Sequence, residues 1–147
     1  MAKPFKKFRE LLIDLINQGK TPPELATAVT IGCLLGLFPI LGVTTIMSMA
    51  IGRFMKLNIP AILVANYSVF PIQVFMIYAL IKTGEIMFSI ESELDYDFFK
   101  TLLDKSYKEI FTTLSTSLLA AVFTWVLFSA ITFLPIYYMF LAIIKSL

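Results

Sequence analysis

The sequence predicts an all-α integral membrane protein, and three observations carry the prediction. Of the 147 residues, 59% are hydrophobic and only 15% charged, too little charge for a soluble domain of this length. Three runs carry no charge at all: 28 residues between Glu24 and Arg53, 25 between Lys56 and Lys82, and 35 between Glu109 and Lys145. Each exceeds the roughly 20 apolar residues demanded by a hydrocarbon core about 30 Å thick. Within the first two runs a Phe-Pro-Ile string recurs 32 positions apart, in Leu37-Phe38-Pro39-Ile40 and Val69-Phe70-Pro71-Ile72. Proline has no N–H and clashes with the preceding turn, so each string interrupts a helix inside an apolar segment. The expected parts are an N-terminal amphipathic interfacial helix (1–20), a membrane domain with two Pro/Gly-broken segments (21–84), a polar loop with an amphipathic linker helix (85–109), and a C-terminal transmembrane helix with a short broken extension (110–147).

In residues 1–20, Phe5, Phe8, Leu12, Leu15 and Ile16 recur at helical spacing, with Lys6, Lys7, Arg9, Glu10 and Asp14 at the other positions. Such a helix either lies in the headgroup layer or packs on the apolar part of its own protein. Lys3, Lys6, Lys7, Arg9 and Lys20, close to the first hydrophobic segment, place this end in the cytoplasm by the positive-inside rule. Charges run throughout, so the stretch does not read as a cleaved signal peptide.

Thr21-Pro22-Pro23-Glu24 reads as a helix start, with Thr21 as N-cap, Pro22 at the first helical position and Glu24 at the third. The first segment then divides into 14 residues from Leu25 to Phe38 and 10 from Val43 to Gly52, about 21 and 15 Å of helix, neither able to span alone. The second divides alike, Leu57 to Phe70 and Ile72 to Ile81, and Gly52 and Gly84 close the two segments at the same offset.

Two geometries fit each broken segment: a re-entrant hairpin that turns at the proline and returns, or a single kinked span. Gly36, Pro39 and Gly42 disrupt seven positions of the first break, which suits a tight turn. The short link from Arg53 to Lys56 suits hairpins meeting on one face, whereas the second break has no glycine. Gly32-x-x-x-Gly36 reads as a helix-packing motif.

Between Lys82 and Glu109 the character changes to seven acidic and four basic residues, with a stripe of Phe98, Phe99, Leu102, Leu103 and Tyr107. No cation-loop spacing organises the acids, so a solvated loop and interfacial helix are expected. The run from Ile110 to Ile144 opens with Thr112, Thr113, Ser115, Thr116 and Ser117, whose hydroxyls are available to other segments. It reads as one span from Leu118 to Leu134, broken at Pro135, with Tyr137 and Tyr138 near an interface.

The chain has no His and one Cys, Cys33, so zinc sites, His-assisted nucleophiles and disulfide frameworks lack their parts. A net charge of +2 and the absence of phosphate-loop patterns argue against nucleic-acid and nucleotide partners. Neither an enzyme nor a metal or other cofactor is expected.

From Thr21 to Gly84 the chain resembles a bacterial membrane family known only as domain of unknown function 2062. The matching residues are Pro22/Pro23, Leu25-Ala26, Gly32-x-x-x-Gly36, Pro39-x-x-Gly42, Thr45, Leu57-Asn58-x-Pro60 and Pro71. The resemblance implies a multi-pass protein of the bacterial inner membrane with no settled activity. Relatives carry Gln where this chain has Thr44, and Asn where it has Phe70 before the second proline.

Paired breaks in a membrane segment point to a binding site at mid-depth. The expected site gathers Pro39, Gly42, Thr44, Thr45, Asn66, Ser68, Pro71 and Gln73, with half-helix N-termini near Val43 and Ile72 offering N–H groups to a lipid phosphate. Arg53, Lys56 and Lys82 would attract its headgroup. The function so implied is transport or flipping of an anionic lipid or lipid-linked group, by a homo-oligomer or with a membrane protein partner. Against it, no charge lies inside the uncharged runs, and transport pathways usually hold one. The alternative is a noncatalytic membrane anchor or assembly partner.

Overall fold

A computed structural model describes residues 2–17, 20–40, 42–90 and 107–146, and every regular element among them is helical. The helices are α1 (Ala2–Asn17), α2 (Pro22–Gly36), α3 (Thr44–Phe54), α4 (Ile59–Ser68), α5 (Phe70–Met87) and α6 (Tyr107–Lys145). The acids of Glu91 to Asp97 and the stripe from Phe98 to Leu103 lie outside the described residues.

Helix α2 begins as its sequence dictates. The Glu24 N–H donates to Thr21 Oγ1 at 3.4 Å, and the Thr21 N–H donates to Glu24 Oε2 at 3.2 Å, a reciprocal capping box. Thr21→Ala removes one acceptor of this exposed pair and is expected to cost about 1 kcal/mol, read as a lowered melting temperature.

The first break reverses the chain. Gly32 of α2 faces Ile62 and Ala65, and Gly36 faces Asn66 and Val69, so α2 and α4 run parallel. Gly52 of α3 faces Ile59 and Ile62, while Thr44 and Ser48 stand against Asn66, so α3 and α4 run antiparallel. It follows that α2 and α3 are antiparallel and that residues 37–43 are the tip of a helical hairpin. Gly42, with φ +86°, supplies the left-handed residue of the turn. Gly32-x-x-x-Gly36 works as a packing seam, bringing the α2 backbone against that of α4.

The second break does not reverse the chain. Only Val69 separates α4 from α5, its φ and ψ of −90° and −2° stay in the helical region, and its carbonyl accepts from the N–H groups of both Ile72 and Gln73. Pro71 sits in the first turn of α5, where a missing N–H costs nothing. The second segment is therefore a kinked continuous path, because its break lacks the glycines and the length of the first.

Two further expectations are corrected. Gly84 does not close a segment: it lies inside α5, where a Cβ would stand 2.8 Å from the Ala120 backbone, and so marks the close approach of α5 and α6. Pro135 does not end a span: α6 is one helix of 39 residues with the proline inside it.

Helix α6 runs antiparallel to α2 at one end and to α5 at the other. Ile144 shares an apolar cluster with Leu25 and Val29, Trp125 reaches Leu34, and Ser117 reaches Glu85. The molecule thus has two tiers: a basal tier of α2, α3 and α4, an upper tier of α5, and α6 passing through both. Leu12 and Leu15 of α1 are buried in the basal cluster, so α1 packs on the protein's own apolar part. Phe70–Met87 and Ser115–Lys145 are long and apolar enough to cross a membrane, and only 22% of the most apolar stretch of each is buried, whereas the core helix of a soluble protein would be mostly covered.

Candidate functional site

The hairpin tip sits between the tiers, and its geometry follows from a backbone problem. A helix ends with carbonyls that have no intrahelical partner, and reversing the chain at residues 37–43 leaves several of them inside the protein. Three side chains from three other helices bond to carbonyls here: the Phe38 carbonyl lies past the end of α2, the Leu34 carbonyl also accepts the Leu37 N–H, and the Thr44 carbonyl belongs to the first turn of α3. Trp125 Nε1 of α6 donates to the Leu34 carbonyl at 2.9 Å, Gln73 Nε2 of α5 to the Phe38 carbonyl at 3.0 Å, and Asn66 Nδ2 of α4 to the Thr44 carbonyl at 3.3 Å. Asn66 Nδ2 also donates to Ser48 Oγ at 2.7 Å. The Trp125 ring meets Phe38 edge-on, with centroids 4.9 Å apart, which fixes the indole over the tip.

The residues nominated from sequence are only partly assembled here. Asn66 and Gln73, each 3% exposed, converge on the tip with Thr44, whose role is its backbone carbonyl. Pro39 is buried in the turn, and Gly42 is exposed, with open space for 4 Å around the place a Cβ would take. Thr45 Oγ1 lies 3.0 Å from the Tyr67 hydroxyl at the exposed side of α3 and α4. Ser68 and Pro71 face outward, and the Ser68 hydroxyl is bonded to the Val64 carbonyl of its own helix. Of the two half-helix N-termini expected, the one near Ile72 has its amides bonded to Val69, while the start of α3 carries no side-chain cap.

The three cations do not converge. Arg53 and Lys56 are exposed at the basal α3–α4 link, Lys56 with φ +55°, and Lys82 lies in the upper tier on α5.

Glu85 was expected in the polar loop but is buried in α5 at 2% exposure. Ser117 Oγ donates to its Oε1 at 3.2 Å, bearing out the expectation for the hydroxyl-rich start of α6. Lys82 Nζ lies 3.4 Å from Oε2 as an ion pair, although Oε2 has no hydrogen-bond donor among the described residues. A charged pair is therefore present inside the helix Phe70–Met87, where counting uncharged runs stopped at Lys82.

Sequence reasoning missed Ser48, Trp125 and Glu85 at these contacts. Ser48 was visible as the residue one turn after Thr44 on the same helical face. Trp125 is the chain's one Trp, and an indole N–H inside an apolar helix needs an acceptor. Glu85 carried no signal of its own, because its burial depends on where α6 begins.

The family described as an uncharacterised protein conserved in bacteria, DUF2062, matches residues 5–147. No curated protein and no solved structure matches the chain.

Proposed function

We propose that this chain, which belongs to the DUF2062 family of bacterial proteins, is a noncatalytic multi-pass protein of the inner membrane that acts through assembly with other membrane components. The observation that carries this reading is the closed hairpin tip: donors from α4, α5 and α6 occupy its inward carbonyls, so the polar atoms nominated for a substrate are used by the fold itself. In a membrane, irregular backbone is tolerated where protein surrounds it, and the tip is built to that rule. On this reading α4–α5 and α6 cross, and α2–α3 enters and returns. The exposed side chains Ile46, Met49 and Phe54 of α3 offer an apolar flank to a second copy or another membrane protein.

Charge sets the proposed orientation. Lys3, Lys6, Lys7 and Arg9 on α1, Lys20 just before α2, Arg53 and Lys56 at the α3–α4 link and Lys145 at the end of α6 are assigned to the basal side, eight of the chain's 12 Lys and Arg. The stretch joining α5 to α6 carries Glu91, Glu93, Asp95, Asp97 and Asp104 against Lys100 and Lys105. The positive-inside rule then puts both termini and the α3–α4 link in the cytoplasm and Glu93 on the opposite side. Topology reporters at the N-terminus, residue 55 and residue 93 are expected to read inside, inside and outside; an outside reading at residue 55 rules out the hairpin.

One observation favours the second reading, carriage of an anionic lipid or lipid-linked group. The first N–H groups of α3 have no side-chain cap and stand beside exposed Gly42 and the Thr45–Tyr67 hydroxyl pair. Thiol labelling of single Cys substitutions at Thr44, Ser68 and Gln73, in a Cys33→Ala background, separates the two. The assembly reading expects Thr44 and Gln73 to be fully protected from water-soluble reagents. Water access at all three, reduced by a polyprenyl-phosphate analogue, would replace it with the carrier.

A further inference from the structure

We infer that the link from α3 to α4 is a docking surface for anionic phospholipid headgroups of the cytoplasmic leaflet, where Arg53 and Lys56 meet lipid phosphates and Phe54 and Met55 enter the acyl chains beneath them. The inference rests on the membrane placement proposed above and names what one surface of the protein meets there. Arg53, Phe54, Met55 and Lys56 are consecutive and all exposed, Phe54 at 89%. From the hairpin tip, α3 runs from Thr44 to Phe54, about 15 Å, which is half of a hydrocarbon core about 30 Å thick. A tip at mid-depth therefore delivers these four residues to the boundary of the core, where headgroups and acyl chains are both within a side chain's reach.

Charge, depth and backbone select this occupant. From residue 25 to residue 84 the chain has no Asp or Glu, and the ion pairs among the described residues are Lys6–Glu10 and Lys82–Glu85, so no carboxylate of the described fold engages Arg53 or Lys56. Two cations flanking two apolar side chains match the interface, which offers phosphate and hydrocarbon side by side. A soluble acidic partner reaches the cations, but not Phe54 and Met55 at the level of the acyl chains. Lys56 carries a further sign. Its φ of +55° closes α3 in a left-handed turn, with its N–H donating to the Arg53 carbonyl at 3.3 Å and the Leu57 N–H to the Gly52 carbonyl at 2.8 Å. Glycine suits that backbone better than any residue with a Cβ, so lysine there does nothing for the fold, and what it adds is a charge.

The test places the full chain in phosphatidylcholine vesicles, with Phe54→Trp as the reporter and Trp125→Phe removing the chain's other indole. A small and equal fraction of either phosphatidylglycerol or phosphatidylcholine carries a nitroxide on its upper acyl chain, and quenching at residue 54 reads which lipid gathers at the link. If Trp125→Phe does not fold, Met55→Cys carrying a bimane, in a Cys33→Ala background, replaces the reporter. Phosphatidylglycerol is expected to be enriched about fivefold over phosphatidylcholine, and Arg53→Gln with Lys56→Gln to bring the two level. Lys56→Gly is expected to lower the enrichment while raising the melting temperature by a few degrees, a pairing that a purely structural lysine does not produce. Equal quenching by the two lipids overturns the inference and leaves the cations to an acidic protein partner, and enrichment that survives the loss of both cations overturns it as well. Enrichment abolished by inorganic phosphate at constant ionic strength overturns it in favour of a free-anion site. Quenching by neither lipid, in vesicles that keep the chain through alkaline carbonate, overturns it by taking the link away from the bilayer. A chain released by alkaline carbonate would instead overturn the membrane placement.

Discussion

Alanine at Gly32 or Gly36 is expected to separate α2 from α4 and lower stability by about 3 kcal/mol, the upper end of the usual cost of overpacking. A Cβ on Gly32 would run into the Ile62 carbonyl oxygen and stand 2.8 Å from Ala65 Cβ. One on Gly36 would stand 2.7 Å from the Asn66 carbonyl oxygen and collide with the Val69 side chain. Two of these obstacles are backbone atoms of a packed helix, which cannot swing away as a side-chain end can. The measurement is the melting temperature of the purified protein in detergent, where a loss of that size corresponds to roughly 10 °C for a chain of this length. Gly42→Ala provides the contrast. Nothing lies within 4 Å of its Cβ position, so only the φ of +86° is at stake, and about 1–2 kcal/mol is expected. If Gly32→Ala and Gly42→Ala were equally mild, close approach of α2 and α4 would not be what the seam provides.

These glycines show which parts of the fold were legible in the sequence. Gly32-x-x-x-Gly36, the capping box at Thr21 and the turn through Gly36, Pro39 and Gly42 are local signals, and each lies where its chemistry placed it. The repeat was less faithful. Phe-Pro-Ile recurs with matching flanks, yet one copy makes a hairpin tip and the other a kink, because the residues around the proline, rather than the string, set the backbone. Gly84 and Pro135 misled for a related reason: each breaks an isolated helix, but contact with Ala120 at the one and the apolar setting of the other let the helix continue. Of the candidate site, the amides of Asn66 and Gln73 were found, but not what they do. Their partners are the backbone oxygens of Thr44 and Phe38, 22 and 35 positions away, and backbone atoms leave no mark in composition.

Asn66→Leu is expected to be the most damaging polar substitution in the protein. Leucine is of similar size, but it strips the donor from buried Ser48 Oγ and removes the second bond of the Thr44 carbonyl, which keeps its place in the α3 ladder. Leaving buried Ser48 Oγ without its donor costs about 1–3 kcal/mol and losing the bond to Thr44 about 1 kcal/mol, so a loss of about 3 kcal/mol is expected. Gln73→Leu orphans only the Phe38 carbonyl and is expected to cost about 2 kcal/mol. Trp125→Phe removes the bond to Leu34 while keeping an aromatic ring near Phe38, so about 1 kcal/mol is expected. Because Gln73 and Trp125 pin the same tip, their losses are not expected to add. Once Gln73→Leu frees Phe38, the ring that steadies Trp125 moves with it, and the double variant should fall short of the sum by about 0.5 kcal/mol or more. Hydrogen exchange supplies a second readout, since the amides of Leu37, Phe38, Ile40 and Val43 should exchange faster in Gln73→Leu while those in the middle of α6 keep their protection. Additive losses, with exchange at the tip unchanged, would mean that these bonds hold the helices together generally and that the hairpin keeps its shape without them.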